Sequence, residues 1–238
     1  MNMWMPSNDE IKHITQYALM NFWGVRSNGV LDGKTMDGFA NVLMDVLLKN
    51  GVHETEIIFG RSAKLPGYFR MSKDWDMIVL KNLQDGTRRL LAVIEFKSMH
   101  GSVGNNLNNR SEEAVGSSYD LWKAFEHGAF GASRPFLGYI YVMTDHPANK
   151  KGTERRGNML FRPLDEYTKF PRTQQPANYE ERAELFMMKM VQEQLYDKCA
   201  LIIADTKKLG DYRTPNEELS IELLIRSLVG HIIAHQTS

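Results

Sequence analysis

WDMIVLKNLQDGTRRLLAVIEFKS, residues 75–98, decides the reading of this chain. Trp75–Leu80 and Leu90–Lys97 are apolar β-type runs, and Asp85-Gly86 between them is a turn dipeptide, so the stretch predicts a hairpin. Asp76 opens the first run, and after 18 intervening residues Glu95 and Lys97 close the second. Residues two apart on a strand face the same way, which puts Glu95 and Lys97 on one face, with Asp76 brought alongside by the hairpin. Charges at the end of an apolar strand are costly without partners, and a divalent ion is one such partner.

This donor set suits phosphodiester hydrolysis. Two carboxylates hold Mg2+ through hard oxygens, the ion stabilises charge developing on the phosphate, and a lysine orients the attacking water. Asp76 and Glu95 then serve as metal ligands, the main-chain carbonyl of Phe96 adds a third oxygen, and Lys97 positions the water. The plainer reading is a strand-capping aspartate beside a strand-end ion pair, because D-xn-E-x-K is a loose pattern. Asp74 is the rival of Asp76, since alternation places it on the same face. Asp76 is preferred because it directly abuts the apolar run.

Around the hairpin the chain reads as helix and strand in alternation. The first 50 residues are helical, with Ile11, Ile14, Tyr17, Ala18 and Phe22 on one stripe and Phe39, Val42, Leu43, Val46 and Leu47 on another, stopped by Gly51. Glu56–Phe59 is a further short β run. After the hairpin comes the polar tract Gly101–Arg110, read as a loop. A helix follows, with Ala114, Val115, Leu121, Trp122 and Phe125 at helical spacing and a capping box from Asn109 to Glu112. Pro135–Met143 is a buried-strand pattern, and Ala148–Gly157 is a basic loop. A helix over Tyr179–Tyr196, a strand over Cys199–Ala204 and a helix over Glu217–His235 complete the order. A helix crossing between β runs predicts an α/β fold: a mixed central sheet flanked by helices. No composition break divides residues 1–238, so one domain with helical N- and C-terminal segments is expected.

The composition, 42% apolar and 24% charged, is that of a globular protein. With 29 Lys plus Arg against 29 Asp plus Glu the formal charge is zero, so no net field holds the chain on a polyanion. Any nucleic acid must be met by a local patch. The single cysteine, Cys199, excludes an internal disulfide framework and any cysteine-rich metal site. The N-terminus lacks a secretory signal and no apolar run approaches a membrane span, so a cytoplasmic protein is expected.

Asn105, Asn106, Asn108, Asn109 and Arg110 follow Lys97 within thirteen residues. Asparagine pairs bidentately with adenine and arginine with guanine in the major groove, so this tract is a candidate DNA reader; a plain glycine–asparagine turn is the bland alternative. Glu112 and Glu113 complement a helix dipole in its first turn more readily than they extend a metal site. Lys150, Lys151, Arg155 and Arg156 offer the local positive patch that zero net charge demands. Gly29–Thr35, GVLDGKT, is one residue short of a phosphate-binding loop and follows a helix. His231 and His235 sit four apart on a helix but lack the glutamate of a zinc protease, and His100 reads as a turn residue. Met187, Met188 and Met190 read as core or interface filler.

Asp76 with Glu95-Phe96-Lys97 resembles the PD-(D/E)xK nuclease superfamily, although Trp75 stands where a proline often precedes the aspartate. The longer string from Glu95 to Phe125, EFKSMHGSVGNNLNNRSEEAVGSSYDLWKAF, resembles the XhoI family of type II restriction endonucleases. GKTMDGF (Gly33–Phe39), LPGYFRMSKDWD (Leu65–Asp76) and PFLGYIYVMTD (Pro135–Asp145) agree, so the likeness spans roughly residues 30–145. It implies a restriction-endonuclease-like core, Mg2+-dependent cleavage of double-stranded DNA at the palindrome CTCGAG, and Asp76, Glu95 and Lys97 in the three motif positions. A homodimer fits a two-fold site, and a companion DNA methyltransferase would protect the same site without needing to bind the nuclease. A structure-selective repair or recombination nuclease of the same superfamily is the alternative.

Overall fold

A computed structural model of the chain describes residues 4–27, 36–99, 103–151 and 160–236. Two helices open it, α1 (Asn8–Ser27) and α2 (Asp37–Lys49). Ser7 and Glu10 exchange main-chain and side-chain hydrogen bonds at the start of α1, the reciprocal cap a helix N-terminus requires. Ile11, Ala18 and Phe22 of the expected stripe are buried, whereas Tyr17 is exposed and Leu19 takes its place inside. The helices cross closely at Gly38, where a Cβ would lie 2.9 Å from the Ala18 Cα.

Then follow β1 (Ile57–Phe59), β2 (Lys64–Pro66), β3 (Ser72–Asp74), β4 (Met77–Asn82) and β5 (Arg88–Met99). β4 and β5 form the expected antiparallel hairpin, and Gly86 takes φ 82° in its turn. β2 and β3 pair as a separate small hairpin that the sequence reading left unassigned. α3 (Val103–Glu126) leads to β6 (Phe136–Thr144), and the short α4 (Asp165–Thr168) precedes α5 (Tyr179–Gln192). β7 (Lys198–Ala204), β8 (Tyr212–Arg213) and α6 (Ile221–Gln236) end the chain.

The main sheet runs β1-β4-β5-β6-β7-β8. β5, β6 and β7 are parallel and the outer pairings antiparallel, which is the mixed sheet expected from the sequence. β6 is buried along its whole length, as a central parallel strand covered on both faces must be. Alternation divides the apolar side chains between two cores. Ile94, Phe96, Ile140 and Ile202 pack with α1, α2 and α6; Val93, Met99, Tyr139 and Leu201 pack with α3 and α5. Glu95 and Lys97 share the parity of Val93 and Met99, so they face the α3/α5 side.

One expectation is overturned here. The asparagine tract is the opening of α3, not a loop, and Asn109 and Glu112 lie inside that helix instead of capping it. Glu112 and Glu113 accordingly stand in its third turn. The reason is tertiary: Leu107, Ala114 and Leu121, seven apart, are all buried and extend one apolar stripe along the whole helix. That burial overrides the weak helix propensity of asparagine. The cap predicted at Asn109 is found instead on α5, where Asn178 and Glu181 bond each other's main chain. Gly29–Thr35, His100, Arg155, Arg156 and the side chain of Asn105 lie outside the described residues. Among the described residues, no helix is long and apolar enough to cross a membrane.

Candidate active site

Asp76 stands immediately before β4, and its Oδ2 accepts the main-chain N–H of Phe96 at 2.7 Å. This bond extends the hairpin ladder by one side chain and fixes the carboxylate beside the end of β5. In an extended strand the N–H and C=O of one residue point to the same side, so the Phe96 carbonyl also faces Asp76. Asp74 has a different placement from the one alternation predicted. It lies on β3, opposite Lys64 in register, and its carboxylate pairs with that lysine at 3.3 Å. Asp76 reaches the Glu95–Lys97 strand; Asp74 turns to its own hairpin.

Glu95 is buried, with 1% of its surface exposed, and carries three donors. Lys97 Nζ lies 2.9 Å from Oε1, Lys73 Nζ 3.2 Å from the same oxygen, and the Tyr196 hydroxyl donates to Oε2 at 2.9 Å. Lys97 Nζ is also 4.0 Å from Asp76 Oδ2, so its ammonium stands between the two carboxylates. Lys73 and Tyr196 are the site residues that the sequence reading missed. Lys73 comes from β3, its ammonium 4.6 Å from the centre of the Trp75 ring. Its hairpin is fastened to α3, because Asp120 Oδ1 accepts the main-chain N–H groups of Tyr68 and Phe69 at 2.9 and 2.7 Å, and Arg70 Nε donates to Oδ2 at 2.8 Å.

The electrostatics follow from burial set against these partners. Burial pushes the Asp76 carboxyl up, and Lys97 with the Phe96 amide only partly offsets it. For Glu95 burial also acts upward, but Lys97, Lys73 and the Tyr196 hydroxyl outweigh it and hold the carboxyl below its ordinary value. Burial would lower Lys97, yet Glu95 and Asp76 outweigh it and keep the ammonium protonated. Burial, and then the Glu95 charge, raises Tyr196 well above the ordinary phenol value, so it serves as a donor.

Among the described residues no group of three or more His, Cys, Asp and Glu side chains is placed to hold a metal. The oxygens available at this point are two carboxylates and one main-chain carbonyl. They fit a hard divalent cation in chemistry, and the raised Asp76 carboxyl is short of the positive charge that such an ion brings.

The other candidate residues do not gather at this point. Asn108 and Asn109 are exposed on α3, and Asn108 Oδ1 accepts from Arg182 of α5 at 2.9 Å. Arg110 pairs with Glu113 at 2.5 Å. Lys150 pairs with Asp145 at 2.7 Å, just past the C-terminal end of β6. His231 and His235 stack with ring centres 4.2 Å apart at the end of α6, and burial, with His235 beside it, lowers His231 to about 4. Met187 and Met190 are buried in the α3/α5 core.

Comparison with known proteins extends this picture beyond residue 145. The family model described as Restriction endonuclease XhoI matches residues 21–214, a span that includes Lys73 and Tyr196 as well as the hairpin. The chain is 40% identical over 209 residues to the type II restriction enzyme BstVI of Geobacillus stearothermophilus, covering 85% of this chain and 89% of that one. It is 47% identical over 121 residues to AbrI of Azospirillum brasilense, covering 50% and 52%. With XhoI of Xanthomonas vasicola it shares 41% identity over 161 residues, covering 60% and 63%. No solved structure matches it. Enzymes of this type act on double-stranded DNA and generally need a divalent metal. With this match across most of its length, the chain belongs to the XhoI restriction endonuclease family and is a type II restriction enzyme, a site-specific deoxyribonuclease.

Proposed function

We propose that the protein is a Mg2+-dependent endonuclease that hydrolyses both strands of duplex DNA at CTCGAG, working in the cytoplasm as a homodimer beside a methyltransferase that protects the same site. The observation that carries the chemistry is the single ion network joining Asp76, Lys97 and Glu95 at the end of β5. Asp76, Glu95 and the Phe96 carbonyl would hold the metal. When bound, it screens the phosphate charge and makes a water more acidic. Lys97, protonated and set between the carboxylates, orients the attacking water instead of abstracting its proton. Water oxygen bonds to phosphorus and gives up a proton to solvent, one bridging P–O bond breaks, and the departing strand oxygen takes up a proton from solvent. A pair of protomers related by a two-fold axis offers each strand of a palindrome one such site.

Reading of the bases falls to the start of α3, where the segment that carries Asn105, Asn106, Asn108, Asn109 and Arg110 follows β5 and where Asn108 and Asn109 are exposed. A helix is the element that fits the major groove, which strengthens this assignment relative to a loop. One domain that includes the helical termini is supported by the core that α1, α2 and α6 share against the sheet. The CTCGAG site is carried over from the family resemblance. Digestion of plasmid DNA with the protein and Mg2+, followed by sequencing of the fragment ends, tests the proposal. Discrete ends within CTCGAG that vanish with a chelator or with Lys97→Ala are expected; ends elsewhere, or full activity in Lys97→Ala, would overturn it.

A further inference from the structure

Glu95 is more heavily coordinated than a strand-end ion pair requires. Its Oε2 turns inward to the Tyr196 hydroxyl at 2.9 Å. Its Oε1 is shared by Lys97 at 2.9 Å and Lys73 at 3.2 Å. Because Lys97 also stands 4.0 Å from Asp76 Oδ2, Oε1 is the oxygen on the Asp76 side. A carboxylate oxygen has about two lone-pair sites, and both of those on Oε1 are taken by ammonium groups. A divalent cation held between Asp76 and Glu95 must therefore compete with a lysine for Oε1.

The two lysines differ in what they can do next. Lys97 belongs to β5 and lies between both carboxylates, so it remains in the cluster whichever oxygen it contacts. Lys73 arrives from the separate β2–β3 hairpin, touches Glu95 alone of the two carboxylates at ion-pair distance, and keeps 16% of its side chain exposed. We propose that Lys73 is the exchangeable counter-ion of Glu95: it yields Oε1 to the metal, and its released ammonium then binds a backbone phosphate of the DNA. This rests on Asp76 and Glu95 being the metal ligands. It also accounts for how a chain of zero net charge engages a polyanion, since one cation is neutralised on a buried carboxylate until metal and DNA arrive together.

The test uses the full chain, with Ca2+ as the probe cation. In calorimetry without DNA, Lys73→Gln is expected to bind Ca2+ about tenfold more tightly than the unaltered protein, because a like charge has left the shared oxygen. With a CTCGAG duplex in Ca2+, the same variant is expected to bind DNA more weakly. The slope of log affinity against log salt should be shallower by about 0.9, the value of one phosphate contact. Lys73→Arg retains the charge and should restore the slope. Lys73→Met, which keeps the stem on Trp75, repeats both measurements if the glutamine variant folds poorly. Unchanged or weaker Ca2+ binding, or an unchanged salt slope, would overturn the inference. Glu95→Gln separates the two levels: if it binds Ca2+ as well as the unaltered protein, the metal site falls and the inference with it. If it loses Ca2+ while Lys73→Gln behaves as wild type, the inference alone fails.

Discussion

Replacing Tyr196 by phenylalanine removes one oxygen and leaves the ring that packs edge-on against Tyr139, 5.2 Å between centres. That oxygen donates to Glu95 Oε2, and the alternative acceptor, the Ala114 carbonyl, is farther away at 3.4 Å. Glu95 is 1% exposed, so no water replaces the lost donor cheaply. A hydrogen bond to a buried charge contributes roughly 1.5–3 kcal/mol. In a chain of this size each kcal/mol moves the melting midpoint by about 2–4 °C, so a fall of about 3–12 °C is expected at neutral pH. The pH dependence has a definite sign. The Glu95 carboxyl is held below its ordinary value: burial acts upward, and Lys97, Lys73 and this hydroxyl together outweigh it. A group with a depressed folded pKa stabilises the protein above its unfolded pKa, and that stabilisation is lost as pH falls through the folded one. The deficit of the variant should therefore be largest at neutral pH and shrink in acid, as read by denaturant unfolding of both proteins across that range. Equal stability at neutral pH, or a deficit that does not change with pH, would refute the role given to this hydroxyl.

Asp76→Asn is expected to lose cleavage by about a thousandfold or more, since one of the proposed metal ligands goes, while its melting temperature at neutral pH holds or rises. Burial pushes the Asp76 carboxyl up, so its charge is a liability in the fold at neutral pH that acid relieves; a marked loss of stability would contradict this. Asn109→Ala, on the exposed face of α3, should leave unfolding unchanged while lowering the ratio of cleavage at the true site to that at single-base variants by about 1–3 kcal/mol. An unaltered ratio in competition digests would remove Asn109 from base reading. Cys199 is buried and its thiol pushed well above the ordinary value by that burial. It should resist a thiol reagent in the native protein and titrate as one group in denaturant; rapid native labelling would contradict its placement.

Much of the fold was legible because its signals are local. The β4–β5 hairpin is announced by two apolar runs around Asp85-Gly86, and β6 and β7 by short continuous apolar stretches that suit a strand covered on both faces. The small β2–β3 hairpin was not legible, since strands of three residues with only the central side chain turned inward leave no periodicity to read. The start of α3 was misread for a related reason. Propensity and turn chemistry in GSVGNNLNNR favour a loop, and Leu107 gains its meaning only from Ala114 and Leu121 two and four turns farther on.

For the site, Asp76, Glu95 and Lys97 could be singled out because a strand's two-residue period and one turn are enough to relate them. The surroundings that set their charge states were out of reach. Lys73 comes to Glu95 from 22 residues away and Tyr196 from 101, with no shared motif. What joins them is sheet register: Glu95 lies beside Tyr139 on β6, and Tyr139 beside Cys199 on β7, which brings Tyr196, just before β7, over the carboxylate. Sequence alone determined which candidate residues meet at one point and which strand presents them, because those are matters of local pattern. Tertiary structure alone decided that two lysines and a buried tyrosine share one glutamate, because only packing across the sheet removes the water that would otherwise solvate it.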